Sequence, residues 1–447
     1  MSALLQSPAE GPFFPGASEV RIATLGKASV LSPLRGECDD HPARLVIDSE
    51  LCEEFAEPRE LLFETAGPRG RLYFDPAKSK AAIVTCGGLC PGLNDVIRSL
   101  VRVLRREYGV PSVIGIRHGL WGFMPEAKLG VVDLTLENVF SIHESGGTIL
   151  GTSRGPQPPD AIVDALHRLN VNMLFVVGGD GTMKAALALD EALRREGRRV
   201  AVVGIPKTID NDINFVPRSF GFETAVGKTV EALRCARIEA MSVQGGIGIV
   251  KIMGRESGFI AARAALAFRD ADFVLTPESP FDLHGEGALL DSLAAKLAAN
   301  GHALMAVAEG AGKALALKAE GEDASGNSNL ADICAHLMDA IGTHFSARGV
   351  RHRFKYIDPS YIVRSVPAGV NDRVYAASLA EHAAHAAISG RTGMVVAQIM
   401  DKFVHLPLEL VTARRRKIQT RSALWRSVLA CTGQGDLRAR SAPYPAA

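Results

Sequence analysis

NMLFVVGGDGTMKAALALDEALRR, residues 172–195, contains the pattern that decides the fold. Its apolar start has no charged residue, which is typical of a strand buried on both faces, and it ends in two glycines and an aspartate. After Thr182 the apolar residues recur at helical spacing. Strand, glycine-rich turn and helix in this order form the unit from which parallel α/β sheets are built. The stretch therefore predicts one such unit.

The same alternation continues on both sides of this stretch. Further apolar runs bounded by glycine are AAIVTC (81–86), SVIGI (112–116), VAVVGIP (200–206), GIGIVKIMG (246–254) and ALMAVAEG (303–310). Helical spacing is found at 92–106, 183–195, 222–241, 257–268 and 330–345. This alternation predicts parallel sheets with helices on both faces. At 447 residues the chain is too long for one ordinary core, which favours two domains.

Residues 1–75 differ from the rest of the chain. They carry prolines and acidic clusters without sustained periodicity. We therefore expect an N-terminal extension that wraps around or lies outside the main core.

Composition argues against several classes of function. Fifty basic and 49 acidic residues leave a net charge of +1, so we expect no nucleic-acid partner and no anionic membrane surface. The one dense charge run, RRRK at 414–417, is interpreted as a solvated helix face. The N-terminus has no signal-peptide pattern and no run of 18 apolar residues occurs. Seven scattered cysteines without zinc-type spacing favour reduced thiols. A cytoplasmic location is expected.

Ligands of open parallel sheets bind at the carboxyl ends of the strands, and polar residues concentrate there. The turn CGGLCPGLN (86–94) allows a close backbone approach to an anion, although such turns also occur for steric reasons. Asp180 can hold Mg²⁺ beside phosphates or simply cap the next helix. The cluster PKTIDND (206–212) supplies a base, a second carboxylate and a cation for phosphoryl transfer, or forms an Asx-rich loop. Arg255 and Glu309 suit a phosphoryl group and sugar hydroxyls, or ordinary ion pairs.

Taken in order, these motifs resemble those of the phosphofructokinase family. They are GGLCPGLN (87–94), GTSRG (151–155), GGDGT (178–182), PKTIDNDI (206–213), MGRESGFIA (253–261), EG (309–310) and KYIDPSYIVR (355–364). GGDGT alone is shared with lipid and NAD kinases, but TIDND followed by MGR and then KxxxxxYxxR is specific. The resemblance covers nearly all of 73–435.

The resemblance implies an α/β fold with two Rossmann-like parallel-sheet domains, an active site in the cleft between them, and the N-terminal extension at 1–75. The ATP-binding domain is expected at 76–221 with about 368–405, and the fructose 6-phosphate-binding domain at 222–367 with about 406–447. It also implies a homodimer or homotetramer.

Residue roles carry over position by position. Asp210 resembles the base that takes the proton from the C1 hydroxyl, Asp212 its partner, and Asp180 the Mg²⁺-associated aspartate. Positions matching the donor site are Gly88, Arg154, Gly179, Asp180, Gly181, Thr182 and Lys207. Positions matching the transferring phosphoryl group are Thr208 and Arg255. Positions matching the sugar phosphate are Met253, Gly254 and Glu309, with Lys355, Tyr361 and Arg364 as the cradle of the 6-phosphate.

The phosphoryl donor is less directly indicated, because part of the family uses pyrophosphate. In the family a second aspartate after the GGD aspartate obstructs the nucleotide, and Gly181 leaves room, which favours ATP. Lys207 is usual in pyrophosphate users. Glycine and lysine occur together in the plant and kinetoplastid ATP-dependent branch, which this chain also resembles through RLYFDP (71–76). We therefore expect ATP with Mg²⁺, and pyrophosphate is the alternative.

The resemblance also bears on regulation. Gly246 stands where many simple bacterial members carry an arginine that reaches a neighbouring subunit, so their cooperativity does not transfer. Arg98 and Arg102 match effector-site positions, but a surface helix carries arginines anyway.

The rival classes of function are a lipid or nicotinamide-nucleotide kinase and a catalytically silent effector-binding subunit. The intact Asp180, Asp210, Asp212 and Arg255 argue against the silent subunit.

Overall fold

The computed structural model describes residues 18–34, 38, 44–48, 60–315, 318–322 and 328–439. The strands are β1 Ser18–Glu19, β2 Ala23–Thr24, β3 Val30–Leu31, β4 Arg44–Asp48, β5 Glu60–Glu64, β6 Arg71–Leu72, β7 Lys80–Thr85, β8 Ser112–Ile116, β9 Val132–Asp133, β10 Met173–Gly178, β11 Ala201–Pro206, β12 Gly246–Ile252, β13 Phe273–Leu275, β14 His302–Ala308, β15 Lys318–Glu322, β16 Ser328–Leu330, β17 Arg353–Ile357, β18 Arg391–Thr392, β19 Met394–Ile399 and β20 Lys402–Pro407. The helices are α1 Leu93–Arg102, α2 Pro159–Arg168, α3 Asp180–Arg195, α4 Phe222–Met241, α5 Phe259–Phe268, α6 Leu289–Asn300, α7 Ile333–Ala347, α8 Ile362–Ser365, α9 Val370–Ile388, α10 Leu408–Thr412 and α11 Ala423–Thr432.

Local backbone and side-chain interactions set the start of α7 and the end of α1. Asp332 caps α7, since its carboxylate accepts hydrogen bonds from the backbone N–H of Cys334 and Ala335, so this helix starts three residues later than its apolar spacing predicts. Helix α1 continues directly into a π-helical turn, Val103–Glu107. In the described part of the chain, no helix combines the length and apolar character needed to cross a membrane.

The chain divides into two compact units. The described residues of unit 1 fall within Met1–Thr208, Ile213–Gly221 and Ser365–Arg415, and those of unit 2 within Ile209–Asp212, Phe222–Arg364 and Arg416–Ala447. Each unit is therefore assembled from three separate stretches of sequence.

Unit 1 is built on a seven-stranded sheet with the order β20-β19-β11-β10-β7-β8-β9. The five central strands are parallel, whereas β20 and β9 pair antiparallel at the two edges. The expected parallel sheet thus carries one antiparallel strand at each edge. Strands β19 and β20, which the apolar-run analysis did not identify, extend the sheet beyond β11.

Helices cover both faces of this sheet. Helix α9 packs on β10, β11 and β19 and against α1, and helix α3 packs on β10 and β11 and against α2 and α10. Alternate residues of a strand point to opposite faces. Leu174 and Val176 accordingly join one core cluster with Leu166 of α2 and Met183 of α3. The predicted α/β class with helices on both faces is confirmed.

Regular structure is already present before residue 76, within the expected N-terminal extension. Strand β5 pairs with β1 and β4, and the side chains of Leu61 and Phe63 are fully buried in the unit 1 core. Leu72 of β6 is also fully buried. Leu61, Phe63 and Leu72 are therefore part of the core, because the short apolar stretches that carry them pack against it. Residues 1–17, 35–37, 39–43 and 49–59 of the expected extension lie outside the described residues.

Unit 2 contains a four-stranded sheet with the order β13-β14-β12-β17, in which all pairs are parallel. Its core includes Ile249, Phe273 and Met305 from the strands, with Leu293 of α6 and Leu337 of α7. Within the predicted apolar stripe, residues 333–345 thus contribute to the core, as predicted from their spacing. Helices α4 and α5 pack on the same sheet.

Candidate active site

Three neighbouring strands of unit 1 end at one edge of the sheet. Gly178 at the end of β10 is level with Pro206 at the end of β11, and Val177 is level with Thr85 at the end of β7. Parallel strands bring their carboxyl ends to the same edge, where ligands of such sheets bind. The turns that follow the three strands therefore emerge together.

Lys207 connects two of these turns. Its backbone N–H donates a hydrogen bond to the carbonyl of Gly178 over 2.9 Å, and its Nζ donates to the carbonyl of Gly88 over 2.6 Å. The side chain is nearly inaccessible, with Lys207 5% exposed. Gly87 has φ +81°, and a Cβ there would lie 3.2 Å from the lysine Nζ. The predicted donor residues Gly88 and Lys207 are thus in contact, with the lysine fastening the glycine turn.

Helix α3 starts directly at the GGDGT turn. The Gly179 carbonyl accepts a hydrogen bond from the Thr182 N–H over 2.9 Å, and a Cβ on Gly178 would lie 2.4 Å from the Thr182 side chain. A Cβ on Gly181 would meet no heavy atom of the described chain within 4 Å. The first N–H groups of a helix and its dipole favour an anion. Gly179, Gly181 and Thr182 therefore form an open, anion-attracting helix start.

Asp180 lies at this helix start with its side chain 8% exposed. Its Oδ2 is 3.0 Å from the Nζ of Lys184 and 3.3 Å from the Nε of Arg415. Among the described residues no three His, Cys, Asp or Glu side chains form a metal-binding cluster. A single carboxylate fits Mg²⁺, which takes one or two protein carboxylates and completes its shell with water and substrate phosphates.

The GTSRG segment reaches the first glycine turn through its backbone. The N–H of Gly87 donates to the carbonyl of Ser153 over 2.9 Å, and the hydroxyl of Thr152 donates to the carbonyl of Gly87. Arg154, the next residue, is exposed. Thr208 follows Lys207, and its carbonyl accepts a hydrogen bond from the hydroxyl of Ser219 over 2.5 Å. The donor residues predicted in unit 1 are therefore gathered at one sheet edge.

Unit 2 includes the TIDND carboxylates. The hydroxyl of Ser257 donates to the backbone carbonyl of Asp210 over 3.1 Å, and the N–H of Arg416 donates to that of Asp212 over 2.8 Å. Asn211 between them has φ +55°, a left-handed conformation that asparagine tolerates better than most residues. The two predicted carboxylates are thus held by a turn whose backbone is fixed from both sides.

The MGR and EG segments pack closely after β12 and β14. The N–H of Gly310 donates to the carbonyl of Gly254 over 3.2 Å, and a Cβ on Gly310 would lie 1.9 Å from the carbonyl oxygen of Arg255. Gly254 itself has φ +134°. Met253 is the first residue after β12. Glycine at 254 and 310 therefore allows the predicted residues of these two segments to approach each other.

The carboxyl group of Glu309 has a raised pKa. Burial is the main cause, and it is opposed by a backbone hydrogen bond from Gly254 and by the positive charges of Lys251, Arg255 and Arg364. The predicted sugar contact is thus a partly desolvated acid near three cations.

The residues of the expected 6-phosphate cradle come from β17 and from the segment that follows it. Lys355 is level with Gly248 in the pairing of β17 and β12, and its Nζ is 2.8 Å from a carboxylate oxygen of Glu239 on α4. This position is about 13 Å before the end of β12, at about 3.3 Å per residue. The guanidinium of Arg364 lies 4.8 Å from the ring centre of Tyr361, which is 74% exposed.

Comparison with known proteins agrees with the motif resemblance. The family model described as Phosphofructokinase matches residues 80–387. The chain belongs to the phosphofructokinase family. An ATP-dependent 6-phosphofructokinase of Borreliella burgdorferi is 46% identical over 84% of this chain and 86% of that protein. One of Amycolatopsis methanolica is 48% identical over 83% of this chain and 82% of that protein.

More distant solved structures share the fold. The pyrophosphate-dependent phosphofructokinase of Marinobacter aquaeolei superposes with a TM-score of 0.65 at 18% identity, covering 80% of this chain and 92% of that one. The Pichia pastoris phosphofructokinase in the T-state superposes with a TM-score of 0.62 at 19% identity, covering 87% of this chain and 43% of that one. At such identities the likeness concerns the fold alone.

The interpretation of RRRK as a solvated helix face is wrong. Residues 414–417 are not helical. Arg415 forms the ion pair with Asp180, and the guanidinium of Arg416 lies 4.6 Å from the ring centre of Phe259 and 3.4 Å from the carbonyl oxygen of Asn211. The pKa of Arg416 is lowered by burial and by Arg263. The contacts of Arg415 and Arg416 were not predicted from the sequence. The apolar residue Ile418, which is buried, follows them closely and was a sequence signal that this segment is not fully solvated.

Proposed function

We propose that the protein transfers the γ-phosphoryl group of ATP to the C1 hydroxyl of fructose 6-phosphate, giving fructose 1,6-bisphosphate in glycolysis. The observation that carries this proposal is the start of α3, where Asp180 stands at an open helix end and Gly181 faces free space. A nucleotide polyphosphate needs such an opening next to backbone N–H groups. The relatives at 46% and 48% identity, named ATP-dependent 6-phosphofructokinases, support both the donor and the acceptor.

The donor is held by unit 1 in this proposal. The glycine turn at Gly88 and the start of α3 at Gly181 offer backbone N–H groups to the phosphates, Thr182 adds its side-chain hydroxyl, and the exposed Arg154 adds a positive charge. Asp180 would hold Mg²⁺ together with water and phosphate oxygens. When bound, Mg²⁺ neutralises charge on the polyphosphate.

The acceptor is activated by Asp210, which takes the proton from the C1 hydroxyl. Asp212 lies two residues further on the same turn and keeps its negative charge close to the substrate. Arg255 and Thr208 stabilise the charge spread over the transferring phosphoryl oxygens. Phosphoryl transfer depends mainly on such positioning and charge stabilisation, because the protein forms no covalent bond with the group.

The sugar phosphate is bound by unit 2. Glu309 accepts hydrogen bonds from sugar hydroxyls, and the backbone of Met253 and Gly254 lies beside it. Tyr361 and Arg364 bind the 6-phosphate. We assign Lys355 to the same role; for it to act, its Nζ must exchange Glu239 for the phosphate.

Pyrophosphate is the second candidate donor, and Lys207 is the observation that favours it. A buried ammonium group beside the glycine turn would stabilise a small leaving phosphate. The same ammonium group is bonded to the carbonyl of Gly88, which gives it a structural role with either donor.

A donor comparison tests the proposal. Turnover of fructose 6-phosphate is measured with ATP and with pyrophosphate, each with Mg²⁺, and we expect activity with ATP. Turnover with pyrophosphate alone would overturn the donor and keep the acceptor. Failure to phosphorylate fructose 6-phosphate with either donor would overturn the proposed function.

Replacement of Asp210 tests the assignment of the base. Asp210→Ser should lower kcat by about 10²–10⁴-fold, the usual contribution of a general base, with little change in KM for ATP. Asp270→Ser, at an exposed position of the same unit, is the matched control and should retain activity. An Asp210→Ser variant with the kcat of the control would contradict this role.

We further propose a cytoplasmic enzyme that assembles as a homodimer or homotetramer, as family resemblance suggests. Light scattering coupled to size-exclusion chromatography measures this directly, and a monomer at assay concentration would contradict it.

A further inference from the structure

Arg415 and Lys184 contact the same oxygen of Asp180. The Nε of Arg415 and the Nζ of Lys184 lie 3.3 Å and 3.0 Å from Oδ2. Lys184 is four residues further along α3 with its side chain 57% exposed, whereas that of Arg415 is 32% exposed. The arginine pair is thus less screened by water, and it joins residues 235 positions apart in the chain.

The backbone of Arg415 is held in place independently of this ion pair. Arg415 pairs with Ile213 in an antiparallel bridge, and Ile213 is 2% exposed. Ile213 directly follows Asp212 of the TIDND motif. The guanidinium is therefore presented to Asp180 by a backbone that is fixed to the buried Ile213.

A cation at this position competes with a metal ion for the carboxylate. A divalent ion on Asp180 must displace or repel the guanidinium, since both are attracted by the same oxygen. The guanidinium is itself a planar set of donors that matches phosphate oxygens. A guanidinium released by the metal would have a polyphosphate as a suitable new partner at the start of α3.

We propose that Arg415 is a further donor-site residue that exchanges partners. Its guanidinium occupies Asp180 when no metal is bound, and it binds the polyphosphate of the nucleotide when the metal takes its place. This inference rests on the proposed function for the identity of the donor. It adds a metal-dependent phosphate contact from a segment outside the motifs of the donor site.

The test compares nucleotide binding with and without metal. Dissociation constants of ADP are measured by calorimetry on the full-length protein, once with Mg²⁺ and once with a chelator. The variants are Arg415→Gln, Arg415→Lys and, as the matched control at the same carboxylate oxygen, Lys184→Gln. Circular dichroism confirms that each variant is folded.

We expect the change in the dissociation constant of ADP to differ between the two conditions. Arg415→Gln should weaken binding of Mg²⁺–ADP about tenfold, as the loss of a hydrogen bond to a charged group does, and binding of metal-free ADP less than about twofold. Arg415→Lys should recover part of the loss because it keeps the charge without the planar fork. Lys184→Gln should change both constants less than about threefold, because exposed ion pairs contribute little.

Other outcomes overturn the proposal. Equal weakening under both conditions indicates a structural role for Arg415, and unchanged Mg²⁺–ADP binding indicates no contact with the nucleotide. If Lys184→Gln weakened Mg²⁺–ADP binding more than metal-free ADP binding by the same factor, any cation on Asp180 would have this effect.

A second measurement tests the exchange itself. Asp180→Asn removes the charge that holds the guanidinium, so metal-free ADP should bind several times more tightly, and the double variant Asp180→Asn/Arg415→Gln should lose that gain. An equal gain in the double variant contradicts the exchange. Phosphorylation of fructose 6-phosphate by the wild-type protein is measured separately, so failure of the proposed function is distinguishable from failure of this inference.

Discussion

His405 should make the stability of unit 1 depend on pH in a range where few other side chains titrate. It lies in β20, 1% exposed, with its Nδ1 3.5 Å from a carboxylate oxygen of Glu64. Burial lowers the pKa of this imidazole from 6.5 to about 4, helped by the positive charges of Arg391 and Arg69 and opposed by Glu64. The histidine is therefore neutral in the folded state at pH 7.

The sign and size of the effect follow from this shift. The unfolded chain binds the proton at higher pH than the folded chain does, so the stabilisation is complete above the unfolded pKa and is lost as pH falls towards the folded pKa. One pKa unit corresponds to about 1.4 kcal/mol, so the full shift corresponds to about 3 kcal/mol. Between pH 7 and pH 5 the loss should reach about 2 kcal/mol.

Native-state hydrogen exchange of amides in β19 and β20 measures this locally, without assuming that two units unfold in one step. The opening free energy is compared at pH 7 and pH 5 for the wild type and for His405→Leu, which cannot titrate. We expect the difference between the two pH values to be smaller in the variant by about 2 kcal/mol. His167→Leu, at an exposed position on α2, is the control and should retain the wild-type slope. Identical slopes in the wild type and His405→Leu would refute the reasoning.

Three further predictions concern buried groups. Glu64→Gln should destabilise unit 1 by about 3–5 kcal/mol, because it removes the carboxylate that pairs with the buried Arg69 and with the partly buried Arg391; a loss below 1 kcal/mol in hydrogen exchange of β5 would contradict this. Gly310→Ala should reduce turnover with fructose 6-phosphate, because its Cβ would lie 1.9 Å from the Arg255 carbonyl and force the backbone apart; wild-type kinetics would show that this contact is unimportant. Burial raises the pKa of the Cys86 thiol to about 11, so iodoacetamide at pH 8 should modify the exposed Cys235 first, as mass spectrometry of peptides would reveal; faster labelling of Cys86 would argue against its burial.

The strands and helices with strong apolar periodicity could be predicted from the sequence. Strand β10 and helix α3 adjoin the GGD turn as the opening stretch implies, and α4 occupies residues 222–241 as its spacing indicates. Strands β19 and β20 were missed for different reasons. Strand β19 does contain an apolar run, MVVA at 394–397, which was not identified. Strand β20 contains the polar His405, which pairs with Glu64 far away in sequence. The same holds for β5, whose apolar residues look like part of a polar extension until they pack in the core.

The candidate site could be predicted wherever its residues directly follow a strand. Asp180, Lys207 and Arg255 were identified for this reason, and the structure places each of them at a strand end. Arg415 follows no strand, and its role depends on a contact with Asp180 that no local pattern encodes. A run of basic residues looks alike whether it is solvated or paired with distant carboxylates. Long-range ion pairs are therefore the part of this site that the sequence could not reveal.

The structure changes how strongly Gly181 and Lys207 each indicate the phosphoryl donor. In sequence terms Gly181 favours ATP and Lys207 favours pyrophosphate. The ammonium group of Lys207 is bonded to the carbonyl of Gly88, and its backbone is bonded to Gly178, so it fastens two turns that either donor would require. A residue with such a structural role would be kept whichever donor is used, and its presence then carries little information about the donor. The open space at Gly181 acts on the donor itself, because a side chain there would occupy that space at the start of α3.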